Sequence, residues 1–412
     1  MNILLISQYF WPENFRINDL AAGLVERGNR VTVLTGIPNY PEGRFFPGYG
    51  FFKKSHEEYR GVHIVRVPVV PRGRGGALRL VVNYISFAMN ACLLTPFLLR
   101  SKFDMIFFAL SPLAEGIPAL VMKRMKKIPV MFWVQDLWPE SLSATGIVTS
   151  PLILKIVEKL VRSLYMRCDR ILVQSRAFIP IVQKRGGDAK RIAYFPNSAE
   201  ELYRPVTVEP GALESTRIPE GFIVMFAGNI GAAQDFPTIL SAAERLREYK
   251  DIHWVIVGDG RMRPWVEEHI RMKGMEGYFH LFGRYPLEAM PRFFSLADAL
   301  LVTLRKEPIF AFTIPSKVQS YMACAKPIIA AVDGEGAKII EEAAAGITCP
   351  AENPEALASA VLKMYKMSET ERRRMGSNGR NYFEMNFERN RLINILNGWM
   401  REMVEENPRC AF

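Results

Sequence analysis

The 412-residue sequence predicts an α/β fold of two domains, each a largely parallel sheet with helices on both faces. Three observations carry that prediction. Apolar runs of strand length recur at 2–7, 31–35, 62–67, 103–109, 128–134 and 170–174, with helically spaced segments between them. The series breaks at AYFPNSAEELYRP, a polar stretch with prolines that reads as a linker, and a second series begins at 222–227. At 412 residues and 49% hydrophobic, the chain can also bury two cores. The expected limits are 1–205, 206–385, and a closing helical segment 386–412 long enough to reach back across the junction.

In the first half, NILLIS gives a buried strand. The helix after it is marked by Ile17, Leu20, Ala21, Leu24 and Val25, with Gly28 as its C-cap. Ligands of parallel sheets sit at the carboxyl ends of strands. The loops to watch are therefore 8–16, 36–43, 111–115 and 135–141. In the second half, strands at 222–227, 254–257, 279–282, 299–304 and 328–332 alternate with helices, one of them starting at Asn353-Pro354-Glu355.

Composition narrows the class. The five cysteines (Cys92, Cys168, Cys324, Cys349, Cys410) are scattered, without metal-ligand spacing or a disulfide-like framework, which points to a reducing, cytoplasmic setting. The five histidines are dispersed, so no zinc site is expected. MNILLISQYF has no positive n-region and reads as a strand rather than a signal peptide. Net charge is +11, yet residues 1–200 hold 27 Lys+Arg against 14 Asp+Glu, so the whole excess lies in the first half. No acidic residue falls between Glu58 and Asp104, whereas Arg60, Arg66, Arg72, Arg74, Arg79, Arg100 and Lys102 do. Such a patch attracts an anionic membrane surface or nucleic acid.

Residues 80–99, LVVNYISFAMNACLLTPFLL, are uncharged over nearly the length that crosses a bilayer. Asn83, Ser86, Asn90, Thr95 and Pro96 weaken a spanning role. Basic residues at both ends favour a helix lying on a membrane, to be weighed against a long core-facing helix. PLILKIVEKLVRSLYMRC likewise separates apolar from basic positions.

In the second half, RKEPIFAFTIPSKVQSYMACAKPIIAAVDGEG reads as loop, helix, strand and loop. Thr313, Pro315 and Ser316 mark the helix start, where Pro tolerates its missing N–H. Lys317, just inside, suits an anion such as pyrophosphate, because free N–H groups and the helix dipole add to its charge. GDGRMR is no dinucleotide fingerprint, since Arg263 stands where the third glycine belongs. No Asp-x-Asp and no Gly-Lys-Ser/Thr loop occurs, which argues against a metal-held nucleotide sugar and an ATPase.

The strings QYFWPENFRINDLAAGL, TGIPNYPEG, WVQDLWPESL, FAGNIGAAQDF, VGDG and TIPSKVQSYMACAKPIIA together resemble the family 4 glycosyltransferases over essentially the whole chain. Within that family they look like the N-acetyl-L-fucosamine transferases of O-antigen, lipopolysaccharide and capsule assembly. The resemblance implies a GT-B fold of two Rossmann-like domains facing across a cleft, with the nucleotide-sugar donor held by the second domain and the acceptor by the first. It implies retention of configuration, no metal and no cofactor beyond the UDP-sugar substrate. The partners implied are a polyprenyl-diphosphate-linked sugar and the inner membrane face, with peripheral attachment and no nucleic acid.

Residue by residue, the resemblance places Lys317 on the donor phosphates. Gly228, Asn229, Gly231 and Gln234 lie beside the diphosphate or sugar, and Arg263, Phe282, Gly283 and Arg284 near the base. Thr313, Pro315, Ser316 and Ser320 fall on the donor helix, and Asn14 and Arg16 on a loop over the phosphates. Asp136 is the candidate to accept or orient the acceptor hydroxyl's proton, with Glu140 and Tyr40 on the acceptor side. Two departures stand out. Phe312 and Ser320 occupy positions where many members carry glutamates, and Gln234-Asp235 fills the usual lysine region. The rival readings are a UDP-sugar epimerase on the same fold, a transferase with a soluble acceptor, and a nucleic-acid-binding protein; the last lacks basic tails and any binding module.

Overall fold

The computed structural model describes the chain apart from residues 52, 74, 75, 100, 110–112, 145–149, 210, 213, 215, 216 and 407–412. Expectations resting on Arg74, Arg100, Ser111 and Cys410 therefore lie outside the described residues. The chain forms two units: Met1–Phe195 with Asn390–Phe412, and Pro196–Arg389. The first crossing falls ahead of the expected 205, where β8 ends and PNSAEELYRP begins.

The first unit runs β1 (Asn2–Ile6), α1 (Arg16–Glu26), β2 (Arg30–Gly36), β3 (His56–Tyr59), β4 (Val62–Val67), α2 (Ala77–Leu98), β5 (Met105–Ala109), α3 (Gly116–Lys126), β6 (Val130–Val134), α4 (Glu140–Ala144), α5 (Pro151–Arg167), β7 (Arg170–Val173), α6 (Phe178–Lys184) and β8 (Ile192–Tyr194). Its sheet has the order β3-β4-β2-β1-β5-β6-β7-β8, parallel except for the β3 edge strand, which pairs antiparallel with β4. Central strands are covered on both faces, so they read as unbroken apolar runs: Ile3, Leu4, Leu5 and Ile6 are fully buried.

The second unit holds β9 (Phe222–Ala227), α7 (Phe236–Arg245), β10 (Ile252–Val257), α8 (Arg263–Met272), β11 (Phe279–Gly283), α9 (Met290–Ser295), β12 (Ala299–Thr303), α10 (Pro308–Ala311), α11 (Ser316–Ala323), β13 (Ile328–Ala331), α12 (Glu335–Glu342), β14 (Gly346–Cys349), α13 (Pro354–Lys366) and α14 (Glu369–Asn386). Its six strands are all parallel, in the order β11-β10-β9-β12-β13-β14. In each sheet the strand order reverses once, at β1/β5 and at β9/β12. A crevice opens at such a switch point, outside the carboxyl ends.

The last helix, α15 (Arg389–Glu405), returns to the first unit. Leu392, Ile393, Leu396, Met400 and Met403 join the cluster containing Ile3, Leu5, Val31 and Trp133. The helix at 80–99 is core-facing on one side and exposed on the other. Its inner face, with Asn83, Phe87, Ala91 and Thr95, is fully buried. Asn83 accepts from Gln8 Nε2 at 2.7 Å and donates to Val70 O at 2.6 Å, and Asn90 donates to Pro68 O, so the polar residues stitch α2 into the unit. Its outer face is an apolar stripe of Leu78, Val81, Ile85, Met89, Leu93 and Phe97 at helical spacing. The basic stretch is partly structural: Arg66 is buried, donating to Glu57 Oε2 at 2.6 Å and Trp11 O at 2.7 Å.

Leu396 is fully buried, so Leu396→Ala is expected to destabilise the first unit by about 2–4 kcal/mol. Hydrogen exchange should show faster opening of β1, β2 and α15 and little change in β9–β13; equal loosening of both units would contradict the assignment of α15.

Candidate active site

At the switch point of the second unit, the loop after β9 is pinned on both sides by backbone hydrogen bonds. Gly228 N donates to Val257 O, Ile230 N to Asp259 O, Met262 N to Ile230 O and Gly258 N to Gly283 O, all within 2.8–2.9 Å. On the other side Arg305 N donates to Ala233 O at 3.0 Å and Thr303 Oγ1 to Gln234 O at 2.5 Å. Such contact leaves no room for side chains. A Cβ on Gly258, which has φ +153°, would stand 1.9 Å from Gly228 O.

Lys317 enters this pinned loop from the first turn of α11. Its Nζ donates to Gln234 Oε1 at 2.7 Å and lies 3.7 Å from the centre of the fully buried Phe226 ring. Gly228 is its floor, since a Cβ there would meet Cε at 2.8 Å. The side chain keeps some exposed surface, but the ammonium end turns inward onto Phe226. Burial pushes its pKa down to about 7, and among the described residues no carboxylate pairs with it. A cation held by one amide oxygen and one ring face is under-compensated, which favours an incoming anion.

The structure brings Gly228, Gln234 and Lys317 into direct contact, and Asn229 and Gly231 follow in the same loop, Asn229 exposed. Pro315 packs on Gly336 ahead of the exposed Ser316. Thr313 Oγ1 bonds Phe310 O at 3.1 Å and the buried Ser320 hydroxyl bonds Ser316 O at 3.3 Å, so both hydroxyls are spent locally. Arg263 pairs with Glu267 at 2.7 Å and reaches towards Gly283. Phe282 packs on Phe293 with the Arg217 guanidinium over its ring, while Arg284 is exposed.

In the first unit, the β1/β5 switch point carries a buried polar cluster. Glu115 Oε1 accepts from Gln8 N at 2.7 Å. Its Oε2 has no hydrogen-bond partner among the described residues, and the Ser7 hydroxyl donates to Tyr9 O. Burial holds its carboxyl well above the usual range. Glu13 accepts from Asn39 N and Tyr40 N at 2.7 Å and Phe10 N at 3.3 Å, clamping two strand-end loops; burial raises it to about 7. Above this clamp Tyr40 packs with Tyr9 and Phe15 and lies under the Arg72 guanidinium, 4.9 Å away. Asp136 follows β6 at the carboxyl edge, and burial raises it to about 6. Glu140 is bound by Arg185 through both oxygens, which makes it a brace for the 135–141 loop. Asn14 is exposed and Arg16 opens α1.

Comparison with known proteins assigns each unit. Residues 14–198 match the model of a glycosyl transferase 4-like domain, and residues 221–367 that of glycosyl transferases group 1. The chain is a glycosyltransferase of the GT-B type. WbjE of Pseudomonas aeruginosa, named a probable glycosyltransferase, is 30% identical over 232 residues, 55% of this chain and 57% of that protein. WcaI of Escherichia coli K12, named for colanic acid biosynthesis, is 22% identical over 78% of this chain and 81% of its own. Among solved structures, HepE of Anabaena in complex with UDP-glucose superposes with TM-score 0.68 at 15% identity, covering 98% of this chain and 99% of that one.

Several groups in this glycosyltransferase lie in loops or stretches that the sequence singled out, but no sequence signal gave them a role. Glu13, Glu115, Gln8, Asn83 and Arg72 are ordinary polar residues in the sequence; only the fold shows them buried or converging. Phe226 reads as strand core, and its role under Lys317 follows from its being the penultimate residue of β9. Because Glu13 titrates higher folded than its ordinary 4.5, the native state holds a proton that the unfolded chain has released. Its contribution to stability therefore falls as pH rises from about 4.5 to 7. Glu13→Gln should flatten that part of the stability curve, read as thermal midpoints of both proteins across pH; parallel curves would refute the assignment.

Proposed function

We propose that the protein transfers an N-acetylated sugar, with N-acetyl-L-fucosamine the leading candidate, from a UDP-sugar to a polyprenyl-diphosphate-linked acceptor. The anomeric configuration is retained and no metal takes part. The observation that carries the reading is Lys317, its ammonium turned inward at the β9/β12 switch point with no carboxylate partner among the described residues. When the bond from sugar to diphosphate breaks, charge develops on the β-phosphate. A lysine at a helix start, beside glycine backbone, stabilises that charge. The HepE complex with UDP-glucose supports the choice of a nucleotide sugar, and WcaI supports polysaccharide assembly as the setting.

On the acceptor side, Asp136 has a pKa near 6, suited to accept a proton from a sugar hydroxyl near neutrality. Tyr40 offers a partly exposed ring for a sugar face. Attachment to the inner face of the cell membrane rests on the stripe of α2 and on Leu152, Ile153 and Ile156 of α5, exposed beside Lys155 and Lys159. If the protein fails to sediment with anionic vesicles at low salt, the membrane part of the reading falls.

Lys317→Ala is expected to lower kcat/KM by about 10²–10³ and to weaken UDP binding. Since a bound diphosphate favours the charged ammonium, UDP affinity of the wild type should fall as pH rises from 7 to 9, by up to about tenfold per unit. Calorimetry across pH checks both; an affinity independent of pH, or an active Lys317→Ala, would remove the site. Asp136→Asn should lower kcat by about 10²–10⁴ and leave UDP affinity unchanged. A screen of UDP-, GDP- and TDP-sugars tests the nucleotide, and product from UDP-sugar alone would favour the epimerase.

A further inference from the structure

The first unit holds an open pocket of 930 Å³ at the amino ends of β6 and β7, the opposite edge of the sheet from Asp136. Lys123, Arg124 and Lys127 line it from the end of α3, Arg167 from the end of α5, Arg170 from the start of β7, and Arg191 from the turn before β8. Asp169 and Glu406 are the acidic groups in the lining. Asp169 is consumed by Lys123, whose Nζ lies 2.7 Å from Oδ2 and also donates to Arg167 O. Arg170 pairs with Glu402 at 3.3 Å and Arg191 with Asp188 at 3.6 Å. Arg124, Lys127 and Arg167 make no side-chain hydrogen bond or ion pair with the described residues.

Basic residues in last helical turns complement the helix dipole, and that accounts for their presence on α3 and α5. It does not account for their convergence. Lys126, in the same turn, follows the ordinary pattern: it turns away and donates to Leu99 O at 3.2 Å. Its neighbours face instead into a shared cavity with an apolar lining of Leu120, Ile128, Met166 and Met403. Unpaired cations gathered at a concave site raise the local concentration of anions.

We infer that this pocket binds a phosphate-bearing ligand, an anion whose apolar remainder rests on Leu120, Ile128 and Met166. The assignment is independent of the donor reading, because the pocket lies wholly within the first unit and touches no residue of the Lys317 site. The phosphate could belong to a lipid headgroup or to a soluble diphosphate, and the test separates them.

The full-length protein, with UDP present in excess to fill the Lys317 site, is assayed by calorimetry with inorganic pyrophosphate, and by flotation with phosphatidylcholine vesicles with and without phosphatidylglycerol. Arg124→Glu with Lys127→Glu removes two of the three unpaired cations and adds two negative charges; Arg44→Glu with Lys53→Glu makes the same charge change at exposed positions elsewhere in the unit. Wild type should bind one probe, the pocket variant about tenfold or more weaker, and the control within about twofold. Loss of pyrophosphate binding identifies a soluble ligand, and loss confined to phosphatidylglycerol vesicles identifies a headgroup. Neutral Arg124→Gln with Arg167→Gln repeats the test if the reversal fails to fold, and UDP binding, unchanged in every folded variant, reports on the second unit. Failure of wild type to bind either probe, or equal loss in the control, overturns the inference.

Discussion

The second unit is organised by the partial desolvation of one ammonium group. Lys317 is held by a single amide oxygen and the face of Phe226, with burial drawing its pKa to about 7. Placing it there requires a close backbone floor at Gly228, a loop fixed by strands on both sides, and a helix that begins at Ser316. Each is traceable to sequence: the glycines of FAGNIG and VGDG permit the approach, and Pro315 sets the helix start. Among the described residues no carboxylate pairs with this cation, so the positive charge is available to a ligand.

Both sheets repeat one solution. Where strand order reverses, the loops at the carboxyl ends are tied across the gap, in the second unit by backbone hydrogen bonds and Gln234, in the first by Glu115, while Glu13 ties the β1 loop to its β2 neighbour. The chemistry of the ties differs. The second unit presents a buried cation and glycine backbone, fit for a diphosphate. The first presents raised carboxyls, tyrosines and Arg72, fit for hydroxyl groups and proton transfer. The donor and acceptor roles proposed for the two units rest on this difference in the charge state of the residues at each switch point.

Much of the fold was legible because buried parallel strands leave unbroken apolar runs and helices leave a period near 3.6. Short or edge strands escaped: β3 (HEEY) is half exposed, and β8 and β14 are only partly buried, so none shows an apolar run. The Lys317 motif was legible because local geometry, a proline and a helix start, creates it. The Glu13 clamp and the Gln8–Asn83 bond were not, since their partners lie 26 and 75 residues apart in the chain. Helix α2 resisted for another reason. Its two faces obey different rules, and a sequence window averages them.

The return of α15 to the first unit bears on how this protein is made. Domains leaving the ribosome ordinarily fold in order, first residues first. Here α1 covers only part of one face of the first sheet, and the rest stays open until Leu392–Met403 have been synthesised, whereas the second unit has all its residues by Arg389. The order is inverted: the half synthesised last is the first able to finish, and the older half must wait with Ile3, Val31 and Trp133 uncovered. The core of the first unit is therefore complete only when the last helix of that core has been made.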